Sequence, residues 1–275
     1  MSNIDSKKRV LITGAHGLIG NLVYARLSAQ PDQYDVYGLD KNAQPSARMA
    51  PAARVTLPPE RLHVADLGDF AALLRAMSGV HTVIHLAADP NGRAGWESVL
   101  ANNIIGTHNV FEAARQVGVQ RVIFASTNQV VFGYATDEAR QALAAGRLAQ
   151  ADMAAPRPID HTQPTRPLND YACSKVFGEA LAHMYAYTHG LSCLCLRIGW
   201  VVPDDQVPSP RAATLWCSQR DIVQLLKRCV NAPDSLRFDV FFGQSDNAHN
   251  FVDISHAREV LGYAPRDSAE HSLSG

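Results

Sequence analysis

The most constraining feature of the sequence is a glycine-rich segment that directly follows a short apolar run near the start of the chain. Val10–Ile12 is predicted to be a strand, and Leu18–Leu27 has the apolar spacing of a helix. The connecting residues Thr13–Gly20 read TGAHGLIG. Glycines at these three positions allow a tight turn, a close approach of the backbone to a phosphate, and close packing of the helix on the strand. The segment therefore predicts a dinucleotide-binding turn formed by Gly14, Gly17, Leu18, Ile19 and Gly20.

Short apolar runs alternate with helical patterns through most of the chain. The runs are apolar on both faces, which is typical of parallel strands covered by helices on each side. Further predicted strands are Val36–Leu39, Leu62–Val64, Val83–Leu86, Val122–Ala125 and Leu194–Ile198, and further predicted helices are Phe70–Met77, Trp96–Val117 and Tyr171–Tyr187. We predict a single α/β domain over residues 1–275, a Rossmann-type doubly wound parallel sheet with helices on both faces and a small C-terminal substrate-binding cap. Residues 200–275 are expected to supply most of that cap.

One segment, Thr136–Pro167, departs from this alternation. It begins with an Ala-rich stretch, Asp137–Ala151, that is predicted to be helical, and then becomes rich in proline. We interpret residues 136–167 as an inserted flap or an oligomer contact, with an unstructured surface loop as the alternative.

Composition excludes several classes of function. With 47% hydrophobic and 19% charged residues, the chain of 275 residues is not expected to be disordered. The balance of 25 Lys+Arg and 26 Asp+Glu gives no global attraction to nucleic acid or to an anionic membrane. No apolar run is long enough to span a bilayer or form a signal peptide, so a cytoplasmic protein is expected. The five cysteines are expected to be reduced thiols, and the histidines lack the spacing of metal ligands.

Residues at the ends of the next strands indicate which dinucleotide binds. Asp40 ends the second strand, where its carboxylate can accept hydrogen bonds from the adenosine ribose and repel a 2′-phosphate. This favours NAD over NADP, although Lys41 beside it weakens the preference. Asp66 and Leu67 follow the third strand where adenine is expected, but Asp66 could also be a helix N-cap. The fourth strand ends in residues that let a cofactor lie close: Leu86, Ala87 and Ala88.

A tyrosine and a lysine are spaced to share one face of a helix. Tyr171 and Lys175 lie four residues apart at a predicted helix start. A tyrosine with an ordinary pKa near 10 is a poor base at neutral pH, and a nearby ammonium lowers that pKa. Lys175 can also bind the nicotinamide ribose. Thr127 ends the fifth strand, where its hydroxyl can orient the reacting oxygen of a substrate.

Together these motifs resemble the extended short-chain dehydrogenase/reductase superfamily, and the resemblance spans nearly the whole chain. It is carried by Thr13–Gly20, Asp66-Leu67, Leu86–Ala88, Asn103, Thr127, Tyr171 and Lys175. Further segments are similar to the uronate dehydrogenase branch: Asn103–Thr107, Phe124–Gln129, Lys175–Glu179, Arg197–Gly199, Leu215–Asp221, Asp253–Ser255 and Leu261–Tyr263. Enzymes of that branch oxidise the anomeric carbon of a hexuronic acid to a lactone with NAD.

The resemblance implies roles for individual residues by position. Thr127 matches the catalytic hydroxyl, and Asn128 matches a substrate-contacting asparagine. Arg211 matches the arginine that binds the sugar carboxylate, a task that suits a bidentate guanidinium; the residues alone also fit a solvated loop arginine. Asn103 and Ile198 are implied at the cofactor, and a homo-oligomer is implied for the chain.

Three departures from the family pattern fall on the substrate pocket. Gln129 stands where histidine is common, Trp200 stands where a small serine is usual, and Asp89 begins a loop that normally offers a serine. Trp200 would shrink or flatten the pocket, and Asp89 would disfavour an anionic group. The sequence therefore predicts a sugar or sugar acid as substrate and leaves a neutral aldose open.

Two other functions remain as alternatives. A nucleotide-sugar epimerase or dehydratase on the same fold usually has a larger C-terminal part, whereas only 76 residues follow Gly199. A non-catalytic NAD-binding scaffold or sensor would not need Thr127, Tyr171 and Lys175.

Overall fold

Seven strands form the sheet that organises the molecule. A computed structural model describes residues 7–47, 49, 51–147 and 157–270. The strands are β1 (Lys8–Thr13), β2 (Tyr34–Asp40), β3 (Leu62–Val64), β4 (Thr82–His85), β5 (Arg121–Thr127), β6 (Ser192–Ile198) and β7 (Phe238–Gly243). Neighbouring strands pair in parallel in the order β3-β2-β1-β4-β5-β6-β7. The predicted doubly wound sheet is confirmed, and its strand order reverses between β1 and β4.

Helices cover both faces of this sheet. They are α1 (Leu18–Ser28), α2 (Phe70–Met77), α3 (Gly106–Val117), α4 (Glu138–Ala144), α5 (Asp170–His189), α6 (Pro210–Ala213), α7 (Gln219–Val230) and α8 (Ser255–Leu261). A helical turn (Trp96–Ser98) and a π-helical stretch (Val99–Ile105) lead directly into α3. Among the described residues, no helix combines the length and the apolar character needed to cross a bilayer.

Alternation along β1 shows how the two layers are built. Val10 and Ile12 are buried on one face with Leu27 of α1 and Leu225 of α7. Leu11 is buried on the opposite face, together with residues of α2, α3 and α5. Because every second side chain of a strand points to the same face, this run of apolar residues fills two cores at once.

The C-terminal part of the chain contributes to the sheet and to its core. It supplies the seventh strand, which was not predicted, and helix α7, which packs beside α1. β7 is an edge strand in which only Phe241, Phe242 and Gly243 are buried, and Asp239 interrupts its apolar pattern. A half-exposed edge strand therefore lacks the continuous apolar run that identifies the central strands.

Two buried cations join distant elements. Arg121 on β5 is 1% exposed and donates hydrogen bonds to the carbonyls of Cys229 and Ala232 at the C-terminal end of α7. Arg197 on β6 forms a bidentate pair with Glu179 on α5, at 2.9 and 2.8 Å. These contacts hold α7 and α5 against the two strands next to the cleft described below.

The described part of the inserted segment is folded onto the body of the protein. Its helix, α4, is shorter than predicted, because Gly146 adopts a φ of +73° and ends it. Residues 148–151 of the expected helix lie outside the described residues. The returning chain pairs Arg166 with Val130 through a backbone hydrogen bond of 2.7 Å, and Ile159 forms a parallel bridge with Val252. The described residues therefore form an ordered arm.

His161 of this arm contacts side chains that lie far away in the sequence. The ring of His161 stacks on that of His256 at a centroid distance of 3.7 Å. Nε2 of His256 lies 2.8 Å from Oδ1 of Asp239 on β7. The three groups fix the arm to β7 and α8.

Candidate active site

A cleft of about 1020 Å³ opens where β1, β4 and β5 end. The strand order reverses beside it, and ligands of open α/β sheets bind at such a reversal. The predicted site residues that line it are Gly14, Gly17, Leu18, Ile19, Gly20, Asp40, Lys41, Asp66, Leu67, Leu86, Ala87, Ala88, Asp89, Thr127, Gln129, Tyr171, Lys175, Ile198 and Trp200. Residues from widely separated parts of the sequence thus share one cavity.

The turn after β1 has no room for a side chain at Gly14 or at Gly20. Gly14 has a φ of +70°, and a Cβ there would lie 2.8 Å from the backbone nitrogen of Ala87. A Cβ at Gly20 would lie 2.1 Å from the carbonyl oxygen of Gly14. Helix α1 begins after Gly17 without a side-chain cap, so its first N–H groups face the cleft. This cradle fits the pyrophosphate of a dinucleotide.

An acidic side chain from the end of β2 lies beside the glycine turn. Asp40, at the end of β2, accepts hydrogen bonds from the backbone N–H groups of His16 and Asn42, both at 3.0 Å. Its carboxylate is thereby oriented beside the cradle, where it can accept hydrogen bonds from ribose hydroxyls. Such a carboxylate fits a cofactor without a 2′-phosphate.

The segment after β3 shows that one of the two roles expected for Asp66, that of a helix N-cap, is wrong. Asp66 is not the N-cap of α2, because the cap is Asp69, whose side chain accepts a hydrogen bond from the Ala72 N–H at 2.9 Å. Asp66 instead closes a tight turn by accepting from the Gly68 N–H at 2.8 Å. Asp66 and Leu67 remain on the wall of the cleft, and their contact with adenine stays a prediction.

Thr127, Tyr171 and Lys175 meet where β5 ends and α5 begins. Asn169 caps α5 by accepting a hydrogen bond from the Ala172 N–H at 2.7 Å, which places Tyr171 in the first turn. The Thr127 side chain lies near the Tyr171 hydroxyl and acts to lower its pKa. Nζ of Lys175 lies 5.7 Å from the centroid of the Tyr171 ring. All three side chains are buried at the cleft.

Burial controls the protonation of this group. It raises the pKa of Tyr171 to about 12, against a lowering effect of Thr127 and with a further increase from the charge of Asp89. Burial also lowers the pKa of Lys175 to about 8. At neutral pH the site therefore holds an ammonium beside a neutral tyrosine. A second positive charge near the phenol would favour its phenolate form.

A buried histidine supports the floor of the site. Burial, followed by the charge of Lys175, lowers the pKa of His85 to about 3, so its ring is neutral. Its two nitrogens lie 2.8 Å from Oγ1 of Thr13 and 3.1 Å from Oγ1 of Thr107. The ring thereby joins β1, β4 and α3 beneath the reacting groups.

Three predicted site residues do not line the cleft. Asn103 is 1% exposed. Its Oδ1 accepts a hydrogen bond from the Asp89 N–H, and its Nδ2 donates to the Asp89 carbonyl and to Oγ of Ser174. Asn128 is fully buried, and neither polar atom of its side chain has a hydrogen-bond partner. Arg211 is exposed on α6. The proposed ligand contacts of these residues stay predictions.

Some lining residues were not predicted. Ser98 and Asn102 come from the helical stretch that precedes α3, one turn apart, so a polar pair at helical spacing could have revealed them. His16, Asn42 and the segment 201–203 also line the cleft, and only the folded arrangement shows this.

The sequence matches the model of the NAD dependent epimerase/dehydratase family over residues 10–205. This chain belongs to that family. The predicted superfamily and the NAD cofactor are thereby confirmed, in agreement with the dinucleotide cradle described above.

Characterised relatives span nearly the full chain. An NAD-dependent glucose-6-phosphate dehydrogenase of Haloferax volcanii is 36% identical over 97% of this chain and 96% of its own length. An L-arabinose 1-dehydrogenase (NAD(P)(+)) of the same organism is 33% identical over 95% of this chain and 97% of its own length.

A solved structure shows the same architecture with a cofactor. A mutant of the uronate dehydrogenase of Agrobacterium tumefaciens, complexed with NAD, superposes with a TM-score of 0.77 and 28% identity, covering 98% of this chain and 88% of that chain. The resemblance to uronate dehydrogenases and the prediction of an NAD-dependent oxidoreductase are therefore confirmed.

Proposed function

We propose that this protein oxidises a sugar at its anomeric carbon, transferring hydride to NAD and releasing a lactone. The observation that carries the proposal is the buried group of Thr127, Tyr171 and Lys175 at one end of the cleft. The other end holds the glycine cradle and Asp40. A reacting centre and a dinucleotide site thus share one cavity, and relatives named as sugar dehydrogenases support the substrate class.

In this proposal, each residue of the group has one task. The Thr127 hydroxyl orients the anomeric hydroxyl of the sugar toward the Tyr171 oxygen. Tyr171, as phenolate, takes the proton of that hydroxyl while the hydrogen on C1 leaves as hydride. When bound, NAD supplies the hydride acceptor and a positive nicotinamide ring. Lys175 stabilises the phenolate through its ammonium and is placed to bind the nicotinamide ribose.

The test is NADH formation by the purified protein with NAD and a panel of aldoses and hexuronates. We expect Tyr171→Phe to lower kcat on the best sugar by about 10²- to 10⁴-fold, because it removes the group that accepts the proton. Tyr187→Phe is the matched control on the same helix, since Tyr187 is 61% exposed and lies outside the cleft.

Two results would reject the proposal. Full activity of Tyr171→Phe would show that another group accepts the proton. If no sugar gives free NADH while a nucleotide sugar is epimerised with NAD retained on the protein, the chain would be an epimerase instead.

A further inference from the structure

One end of the cleft carries a negative charge that is held in a fixed orientation. Asp89 lies four residues after the end of β4, and its Oδ2 accepts a hydrogen bond from Oγ of Ser98 at 2.5 Å. Its Oδ1 accepts from the backbone N–H of Asn91 at 3.0 Å. Asn103 binds the backbone of Asp89 through both atoms of its amide, at 2.8 and 3.1 Å. The carboxylate therefore has little freedom to turn away from the cleft.

Groups suited to sugar hydroxyls line the same cleft as this carboxylate. Ser98, Asn102 and Gln129 line the cleft with it and offer a hydroxyl and two amides. Nδ2 of Asn102 donates to the carbonyl of Ser98 at 2.9 Å, and Oε1 of Gln129 accepts from Asn169 at 3.1 Å. Trp200 adds an aromatic wall. We call Asp89, Ser98, Asn102, Gln129 and Trp200 the acidic subsite.

The positively charged side chains that line the cleft belong to the cradle and to the reacting group, and none is part of the acidic subsite. Among the described residues that line the cleft, the lysines and arginines are Lys41, next to Asp40 at the cradle, and Lys175, beside Tyr171. Arg93 and Arg211 are exposed and do not line it. The field of Asp89 reaches the reacting group, because Asp89 contributes, after burial, to the raised pKa of Tyr171.

We propose that the substrate is an uncharged aldose and that Asp89 determines this specificity by accepting a hydrogen bond from one of its hydroxyls. This inference rests on the proposed function. A sugar hydroxyl satisfies a lone pair of the carboxylate, whereas the carboxylate of a uronate or the phosphate of a sugar phosphate meets a like charge there. The aromatic face of Trp200 suits the C–H groups of a sugar ring.

The test compares kcat/KM within matched sets: glucose, glucuronate and glucose 6-phosphate, then galactose and galacturonate. We expect each neutral sugar to exceed its anionic counterparts by about tenfold or more, since a like charge disfavours binding. Asp89→Asn keeps the size of the side chain and removes its charge. It should raise KM for the neutral sugar and reduce the preference over the uronate.

A second readout separates a substrate contact from a structural role. Removing the charge of Asp89 removes a contribution that raises the pKa of Tyr171, so the acid limb of the kcat pH profile should move to lower pH. Glu97→Gln is the matched control, because Glu97 is exposed and lies outside the cleft. Glu97→Gln should change neither the preference for neutral over anionic sugars nor the pH profile of kcat.

The outcomes distinguish this inference from the proposed function. A wild-type preference for uronates or sugar phosphates that Arg211→Ala or Arg93→Ala abolishes would overturn the inference and leave sugar oxidation intact. An Asp89→Asn variant with unchanged preference and an unchanged pH profile would also overturn it. The absence of NADH with every sugar would instead reject the proposed function.

Discussion

The contact between α5 and β5 predicts that one methyl group will disturb both stability and catalysis. A Cβ at Gly178 would lie 2.1 Å from Cζ and 2.5 Å from Cε1 of Phe124. Carbon atoms in good contact are about 3.5–4.0 Å apart, so the ring or the helix must move by more than an ångström. Phe124 is fully buried and contacts the rings of His85 and Phe111.

Two opposing terms set the size of the effect of Gly178→Ala. Overpacking a buried site costs about 1–3 kcal/mol, and alanine recovers about 1 kcal/mol of helix propensity over glycine. Because the clash exceeds an ångström, the upper part of that cost, about 2–3 kcal/mol, applies, and we expect a net loss of about 1–2 kcal/mol in the free energy of unfolding. The loss in kcat should be larger in proportion, about 10- to 100-fold, because displacement of α5 moves Tyr171 and Lys175 relative to Thr127.

Urea denaturation and steady-state kinetics of Gly178→Ala measure the two effects. Gly95→Ala is the control, because a Cβ at Gly95 meets nothing within 4 Å. Adding Phe124→Leu to Gly178→Ala should restore part of the lost activity by making room for the methyl group. Wild-type stability and kcat in Gly178→Ala would refute the argument, since they would show that α5 does not depend on this close contact.

Three further predictions follow from buried polar groups. Arg121→Met should lower the free energy of unfolding by about 3 kcal/mol in urea denaturation, because it leaves carbonyls of α7 without a buried donor; a loss below about 1 kcal/mol would contradict this. His85 stays neutral in the folded chain, with a pKa of about 3, whereas the unfolded chain binds a proton below about pH 6.5. Stability should therefore fall as the pH drops from about 6.5 toward 3, by up to about 1.4 kcal/mol per pH unit, and His85→Gln should flatten this slope in thermal melts; an equal slope in the variant would contradict the assignment. Asp40→Ser should raise the KM for NAD about tenfold and allow turnover with NADP, because it removes the carboxylate that repels a 2′-phosphate; unchanged discrimination in initial rates would show that another group selects the cofactor.

The parts of the fold that depend on local signals were predictable from the sequence. The glycine turn after β1 requires residues without side chains at fixed spacing, and the structure shows the corresponding close approaches at Gly14 and Gly20. The central strands are buried on both faces and carry continuous apolar runs. β7 lies at the sheet edge with Asp239 in its sequence, so its pattern is weaker.

The parts of the site that depend on distant contacts were less accessible. Spacing brings Tyr171 and Lys175 onto one helical face, but nothing local reveals that Asn103 holds the backbone of Asp89. Arg211 follows a proline-rich stretch and fits a family motif, yet the folded chain leaves it exposed on α6. The direction of a side chain on a short helix depends on tertiary packing, which spacing alone does not encode.

The most direct test of the central claim follows the hydrogen that leaves the sugar. The purified protein is given NAD and its best aldose carrying deuterium at C1, and the NADH formed is analysed by mass spectrometry. If Tyr171 removes the proton of the anomeric hydroxyl while hydride leaves C1, the NADH contains deuterium and the product is a lactone. Deuterium that remains in the sugar product, with unlabelled NADH, would contradict oxidation at the anomeric carbon.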